Sequence, residues 1–184
     1  MPNRKSTRLR GFDYSREAAY FITINTEKRH EYFGKVSKGQ IALSSWGKIV
    51  QEEWLKTVKI RTNVTLGQWV IMPDHMHGII IIGNPSILIG NSPRQKPRPE
   101  TKIAKFVSPS GTVGAIIRGF KAACSTKIRA AGNTGFAWQR NYHDRIIRNQ
   151  QELSNIQNYI VNNPANWQNN EYNWENEEDD RYYL

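Results

Sequence analysis

The chain has one cysteine, Cys124, in 184 residues. A single thiol excludes an internal disulfide and any multi-cysteine zinc or iron–sulfur centre within the chain. No run approaches about 18 consecutive apolar residues, which excludes a transmembrane helix. The opening MPNRKSTRLRGFDYS is basic but has no apolar stretch, so no secretory signal is expected. Together these absences predict a soluble cytoplasmic protein with no membrane partner. Acidic residues are also scarce: 16 Asp and Glu face 26 Lys and Arg, a net charge of +10. Residues 171–184, EYNWENEEDDRYYL, hold six of the acidic residues and one basic residue. The rest therefore carries 25 basic and 10 acidic residues, a net of +15. A body this basic points to a polyanion, most often nucleic acid. The acidic tail, 168–184, reads as solvated charge or as a decoy for the basic face.

What is present suits one domain. Residues 1–12 form a basic arm with Arg4, Lys5, Arg8 and Arg10. In AAYFITINT (18–26), Tyr20, Ile22 and Ile24 alternate with Phe21, Thr23 and Asn25, which predicts a strand. YFGKV (32–36) and QIALS (40–44) flank a hairpin turn at 37–39. Over 45–59, Trp46, Ile49, Val50, Trp54 and Leu55 recur at helical spacing, with Ser44 or Ser45 as N-cap. VTLGQWVIM (64–72) and HMHGIIII (75–82) read as strands joined by Pro73 and Asp74. The run 79–82 is apolar on both faces, as in a central strand. Five prolines and several Lys and Arg residues mark 84–111 as a long basic loop. A second helix is expected at 112–131, an edge strand within 136–149, and a third helix at 151–163 ended by Pro164. This order predicts an α+β protein with an antiparallel sheet and helices packed on it.

Two features carry chemistry. His75 and His77 are two apart on a strand, so both imidazoles leave the same face and can reach one ion, while Met76 turns to the other layer. The plain alternative is two ordinary polar residues at a strand start. Tyr159 stands on the third helix, four residues from both Asn155 and Asn163, beside the Leu153, Ile156 and Ile160 core stripe. It reads either as a packing residue with a wet hydroxyl or as a nucleophile that a metal site would assist.

Three blocks in this order resemble one family: MPDHMHGIIII (72–82), GAIIRGFKAA (114–123) and WQRNYHDRIIRNQQELSNIQNYIVNNPANW (138–167). The sequence resembles the REP-associated tyrosine transposases, single-tyrosine members of the HUH transposases, over about residues 4–167. The opening RKSTRLRGFDYSREAAYFITI (4–24) is similar to that family's opening. The resemblance implies a ferredoxin-like antiparallel sheet of about five strands and a single-tyrosine transposase domain over 13–167. It implies that His75 and His77 ligate a divalent metal, Mg²⁺ or Mn²⁺, and that Tyr159 is the nucleophile. Asn163 falls where relatives place a third polar ligand, often Gln, and is one methylene shorter. The implied activity is cleavage and rejoining of single-stranded DNA at hairpins through a 5′-phosphotyrosine, by a monomer or a homodimer. A non-catalytic DNA- or RNA-hairpin binder and a hydrolysing phosphodiesterase are the competing readings.

Arg118, Lys121, Arg140, Arg145 and Arg148 are candidate phosphate contacts, along with Arg4, Lys5, Arg8 and Arg10 of the arm. Tyr142 is the rival nucleophile, and His143 is taken as surface or DNA-facing. Trp69, Trp138 and Trp167 could stack bases, though most are expected in the core. Asp74 is read as a turn residue that could orient a histidine. Cys124 is read as a core thiol.

Overall fold

The computed structural model describes residues 17–84 and 111–167. The arm residues Arg4, Lys5, Arg8 and Arg10, nearly all of the 84–111 loop and the 168–184 tail lie outside the described residues.

Strand β1, Ala18–Asn25, is buried almost throughout. Its alternating residues supply two different cores. A tight hairpin follows, β2 (Gly34–Ser37) and β3 (Gln40–Leu43). Lys38 and Gly39 at its tip both have positive φ, 50° and 72°. That pairing marks the primed turn whose twist matches two antiparallel strands. Helix α1, Ser45–Ile60, begins at Ser44, whose side chain accepts from the Gly47 N–H at 3.1 Å. Satisfying that orphan donor fixes where the helix starts.

Strands β4 (Val64–Ile71) and β5 (His75–Ile82) form an antiparallel hairpin. All eight β5 residues are buried, as the apolar run predicted. Helix α2 is Val113–Ala130, β6 is His143–Ile147 and α3 is Gln150–Asn166. The main sheet has the order β4-β5-β1-β6, and each neighbouring pair is antiparallel. Omitting the β2–β3 hairpin and α3, the chain runs β-α-β-β-α-β, the split arrangement of ferredoxin-like sheets.

Two expectations are corrected. About five strands were expected in one sheet; among the described residues the sheet has four, and β2 and β3 pair with each other in a separate hairpin. The edge strand expected within 136–149 is β6, which spans five of those residues; earlier in the segment Trp138 makes an isolated bridge to Thr26. Helix α3 does not stop before Pro164 but passes through it to Asn166. Proline lacks one N–H and crowds the carbonyl four residues back, a smaller loss in a last turn than in mid-helix.

The two faces of the sheet are sealed differently. Tyr20, Ile22, Ile24, Met76, Ile80 and Ile82 pack with α1 and α2 residues such as Trp54, Ile117 and Phe120. Gly78 is required here: a Cβ on it would stand 2.6 Å from Trp54 Cζ2. On the other face Ala19, Phe21, Ile79, Ile81 and Ile147 pack with Leu153, Ile156 and Ile160 of α3. Among the described residues, α3 is thus the helix that covers the face toward which His75 and His77 turn.

Candidate active site

The site forms where β5 enters the sheet. His75 and His77 are buried, at 2% and 1% exposure, so their rings answer to protein groups rather than to water. The Nδ1 of His75 lies 2.6 Å from Asp74 Oδ1, and because a carboxylate only accepts, this pairing favours a proton on Nδ1 and a lone pair on Nε2. That Nε2 stands 3.0 Å from Nε2 of His77. On the far side of His77, Nδ1 is 2.9 Å from the Thr23 hydroxyl. The β1–β5 register places Thr23 directly opposite His77. A hydroxyl both donates and accepts, so Thr23 satisfies His77 in either tautomer.

Burial holds both imidazoles well below the ordinary histidine pKa, reinforced at His77 by His75 and at both rings by the Arg29 cation. Neutral imidazole is the metal-ligating form. Asp74 is pushed up to about 6 by burial, with Arg29 pulling the other way. Arg29 Nε lies 2.8 Å from Asp74 Oδ2.

Helix α3 brings Tyr159 to this point. Its hydroxyl lies 3.3 Å from His77 Nε2. Phe21 stacks on His77 at 5.4 Å and meets Tyr159 edge-on at 6.1 Å, holding the phenol against the imidazole. One helical turn on, Asn163 is buried and its Oδ1 has no hydrogen-bond partner among the described residues. A buried amide oxygen without a partner costs stability, so it is an acceptor in want of a donor or a cation.

These residues fit a divalent ion. Ligands at right angles about 2.1 Å from one ion stand about 3.0 Å apart, close to the His75–His77 nitrogen spacing. The Asp74–His75 contact is the carboxylate–imidazole pairing that orients metal-bound histidines. Among the described residues no three His, Cys, Asp or Glu side chains form a metal-binding group, so a third ligand from those residues would be a neutral oxygen donor such as an amide, a hydroxyl or a carbonyl.

No family model matches the sequence. A protein of Haemophilus influenzae, itself uncharacterised, is 33% identical over 171 residues, spanning 90% of this chain and 91% of that protein. The chain belongs to the same family as that protein. Among solved structures, a REP-associated tyrosine transposase bound to a REP hairpin superposes with a TM-score of 0.55 at 18% identity, over 91% of this chain and 74% of that one. The fold is that of a REP-associated tyrosine transposase.

Within this transposase fold the candidate basic residues separate. Arg118, Arg140 and Arg148 are exposed. Arg145 shares the face of His77, since it stands opposite Phe21, and its Nε donates to Glu152 Oε1 at 2.7 Å. Lys121, expected to contact phosphate, donates to the carbonyls of Gln139 and Asn141, at 2.5 and 3.2 Å. Burial lowers its pKa to about 8. Its ammonium closes the 139–141 loop onto α2. Tyr142 packs against the core that α1 and α2 close. His143 is half-buried opposite Thr23. Trp138 is core, Trp69 packs against it, and Trp167 lies 5.9 Å from the His75 ring. Cys124 is buried, and burial pushes its thiol up, as befits a core residue. No helix among the described residues is long and apolar enough to cross a membrane.

Sequence reasoning missed Thr23, Arg29 and Phe21. Their signals were faint: a threonine and a phenylalanine within a strand, and an arginine in a turn.

Proposed function

We propose that the chain is a metal-dependent DNA strand transferase that cleaves and rejoins single-stranded DNA beside hairpins. One observation carries this reading: the Tyr159 hydroxyl stands 3.3 Å from Nε2 of His77, on a helix that presents, one turn further on, a buried Asn163 oxygen with no partner among the described residues. A packing tyrosine would need none of these neighbours. The hairpin bound by the structurally similar transposase and the +15 body support a DNA substrate.

Tyr159 Oη attacks the scissile phosphorus. The bond from phosphorus to the 3′ oxygen breaks, and the 3′ oxygen takes up the proton that the phenol loses, by way of solvent. The 5′ end stays on Tyr159 as a phosphotyrosine. The phosphodiester energy is retained in that bond, so the 3′-OH of another strand can reverse the step and rejoin DNA. A phenol with a pKa of about 10 is a weak nucleophile at neutral pH and needs an activated electrophile. His75, His77 and Asn163 would hold Mg²⁺ or Mn²⁺. When bound, the ion neutralises charge on the phosphate and acts as a Lewis acid. Phe21 keeps the phenol against His77, and α3 supplies the orientation that makes the attack effectively intramolecular.

The test is covalent capture. Protein, Mn²⁺ and hairpin-bearing single-stranded DNA should give a protein–DNA adduct on a denaturing gel, and Tyr159→Phe should reduce it at least about 100-fold, as loss of a nucleophile demands. Hairpin binding with no adduct from any substrate would leave a binding protein instead.

A further inference from the structure

Arg29 occupies an unusual backbone. Lys28 and Arg29 are consecutive non-glycine residues in the left-handed region, at φ 53° and 57°. Such strain persists only where the surroundings over-determine it. Here the loop is pinned at several points. Thr26 N–H and Oγ1 both donate to the Asp74 carbonyl, at 2.9 and 2.8 Å. Glu27 N–H donates to the Ala137 carbonyl and Phe33 N–H to the Pro73 carbonyl, each at 2.9 Å.

The consequence is where the guanidinium lands. Its Nε faces Asp74 Oδ2 at 2.8 Å, and one terminal nitrogen donates to Asn25 Oδ1 at 2.5 Å. Asp74 Oδ1 remains for His75 Nδ1. Each carboxylate oxygen therefore has its own partner, and the carboxylate cannot rotate without breaking a contact. The guanidinium is held from behind as well. Asn25 Nδ2 donates to Gln139 Oε1 at 2.9 Å, and Gln139 N–H donates to the Asn25 carbonyl at 2.9 Å. Gln139 lies in the loop that Lys121 closes.

We propose that Arg29 is a positioning residue for the metal-binding pair: it fixes the Asp74 carboxylate so that His75 keeps its proton on Nδ1 and turns Nε2 toward His77. This rests on the reading of His75 and His77 as ligands. Arg29 touches neither DNA nor ion in this role. A terminal nitrogen also stands 3.4 Å from His75 Nδ1, but the carboxylate at 2.6 Å is the closer partner and accepts that proton, so Arg29 acts on the ring chiefly through Asp74. A planar fork makes the two contacts at once, which a lysine ammonium does not reproduce.

Two measurements on the full chain test it. Long-range ¹H–¹⁵N NMR of the metal-free protein reads the His75 tautomer, and calorimetry with Mn²⁺ reads affinity. Wild type should show the Nδ1–H tautomer. Arg29→Ala should show a tautomer mixture and bind Mn²⁺ about 10–100-fold more weakly, the usual effect of losing such an outer partner. Arg29→Lys should recover little of the loss, whereas added methylguanidinium should recover part of it in Arg29→Ala. Arg29→Gln, whose amide nitrogen falls at the position of the arginine Nε and keeps one donor toward Asp74, serves if Arg29→Ala does not fold, and should lie between. A variant that melts lower but keeps the wild-type tautomer and an Mn²⁺ affinity within twofold would overturn the proposal and leave Arg29 a loop-stabilising residue. A wild type that binds no Mn²⁺ would contradict the metal reading itself. The tautomer would then still decide what Arg29 does to His75.

Discussion

At the scale of single residues, Asn163 sets function against stability. A buried amide oxygen without a partner costs about 1–3 kcal/mol in a folded protein. Replacing it with an apolar side chain of similar size removes that penalty. Asn163→Leu should therefore keep or raise the melting temperature of the metal-free protein while weakening Mn²⁺ binding about tenfold or more; calorimetry and thermal melts read the two effects separately. Lower stability with unchanged metal affinity would make Asn163 a packing residue. The histidines and Tyr159 were legible in the sequence because their relations are local: two residues apart on a strand, or aligned with a helical stripe. Thr23 and Arg29 were not. Thr23 meets His77 only through the β1–β5 register, and Arg29 reaches Asp74 only because a strained loop folds over the turn.

At the scale of elements, one acidic side chain joins the two helices on the far face of the sheet. Glu53 of α1 is buried and pairs with Lys127 of α2, and with Lys56 at 2.9 Å. Burial pushes the Glu53 carboxyl up, but the two ammonium groups outweigh it and hold the pKa below its ordinary value. A carboxyl whose pKa falls on folding contributes stability above its unfolded pKa, and that stability is lost as pH falls through the folded value. Glu53→Gln should therefore melt a few °C lower at neutral pH. The gap to wild type should narrow below about pH 4.5, the range where a free glutamate takes up its proton. Both lysines are more than two-fifths exposed, so salt should also shrink the gap. Most element boundaries were readable from hydrophobic period and capping residues. The β2–β3 hairpin was readable too, but not that it stands apart from the main sheet, because a strand's pattern shows which face is buried and not which strand lies beside it.

At the scale of the whole molecule, the topology explains the division of labour. Helices α1 and α2 close one face of the sheet, and α3 closes the other with the candidate nucleophile on it. Tyr159 therefore reaches the histidines within one chain. Charge is the second global feature. A net of +10 comprises a body of +15 and an acidic end after residue 170. Single-stranded DNA affinity should fall linearly on a log–log plot against salt, with a slope of about −0.7 for each phosphate contacted. Deleting 171–184 should tighten binding at low salt, and the gain should fade as salt rises; fluorescence anisotropy across a salt series measures both.

The central claim is that Tyr159 becomes joined to the 5′ end of DNA. The direct measurement is peptide mass spectrometry after incubating the protein with Mn²⁺ and a hairpin-bearing single strand, followed by protease and nuclease digestion. The account predicts a nucleotide attached through its 5′ phosphate to the peptide containing Tyr159, with a released strand ending in a 3′-OH. Cleavage with no nucleotide on any peptide, or with the nucleotide on Tyr142, would contradict it.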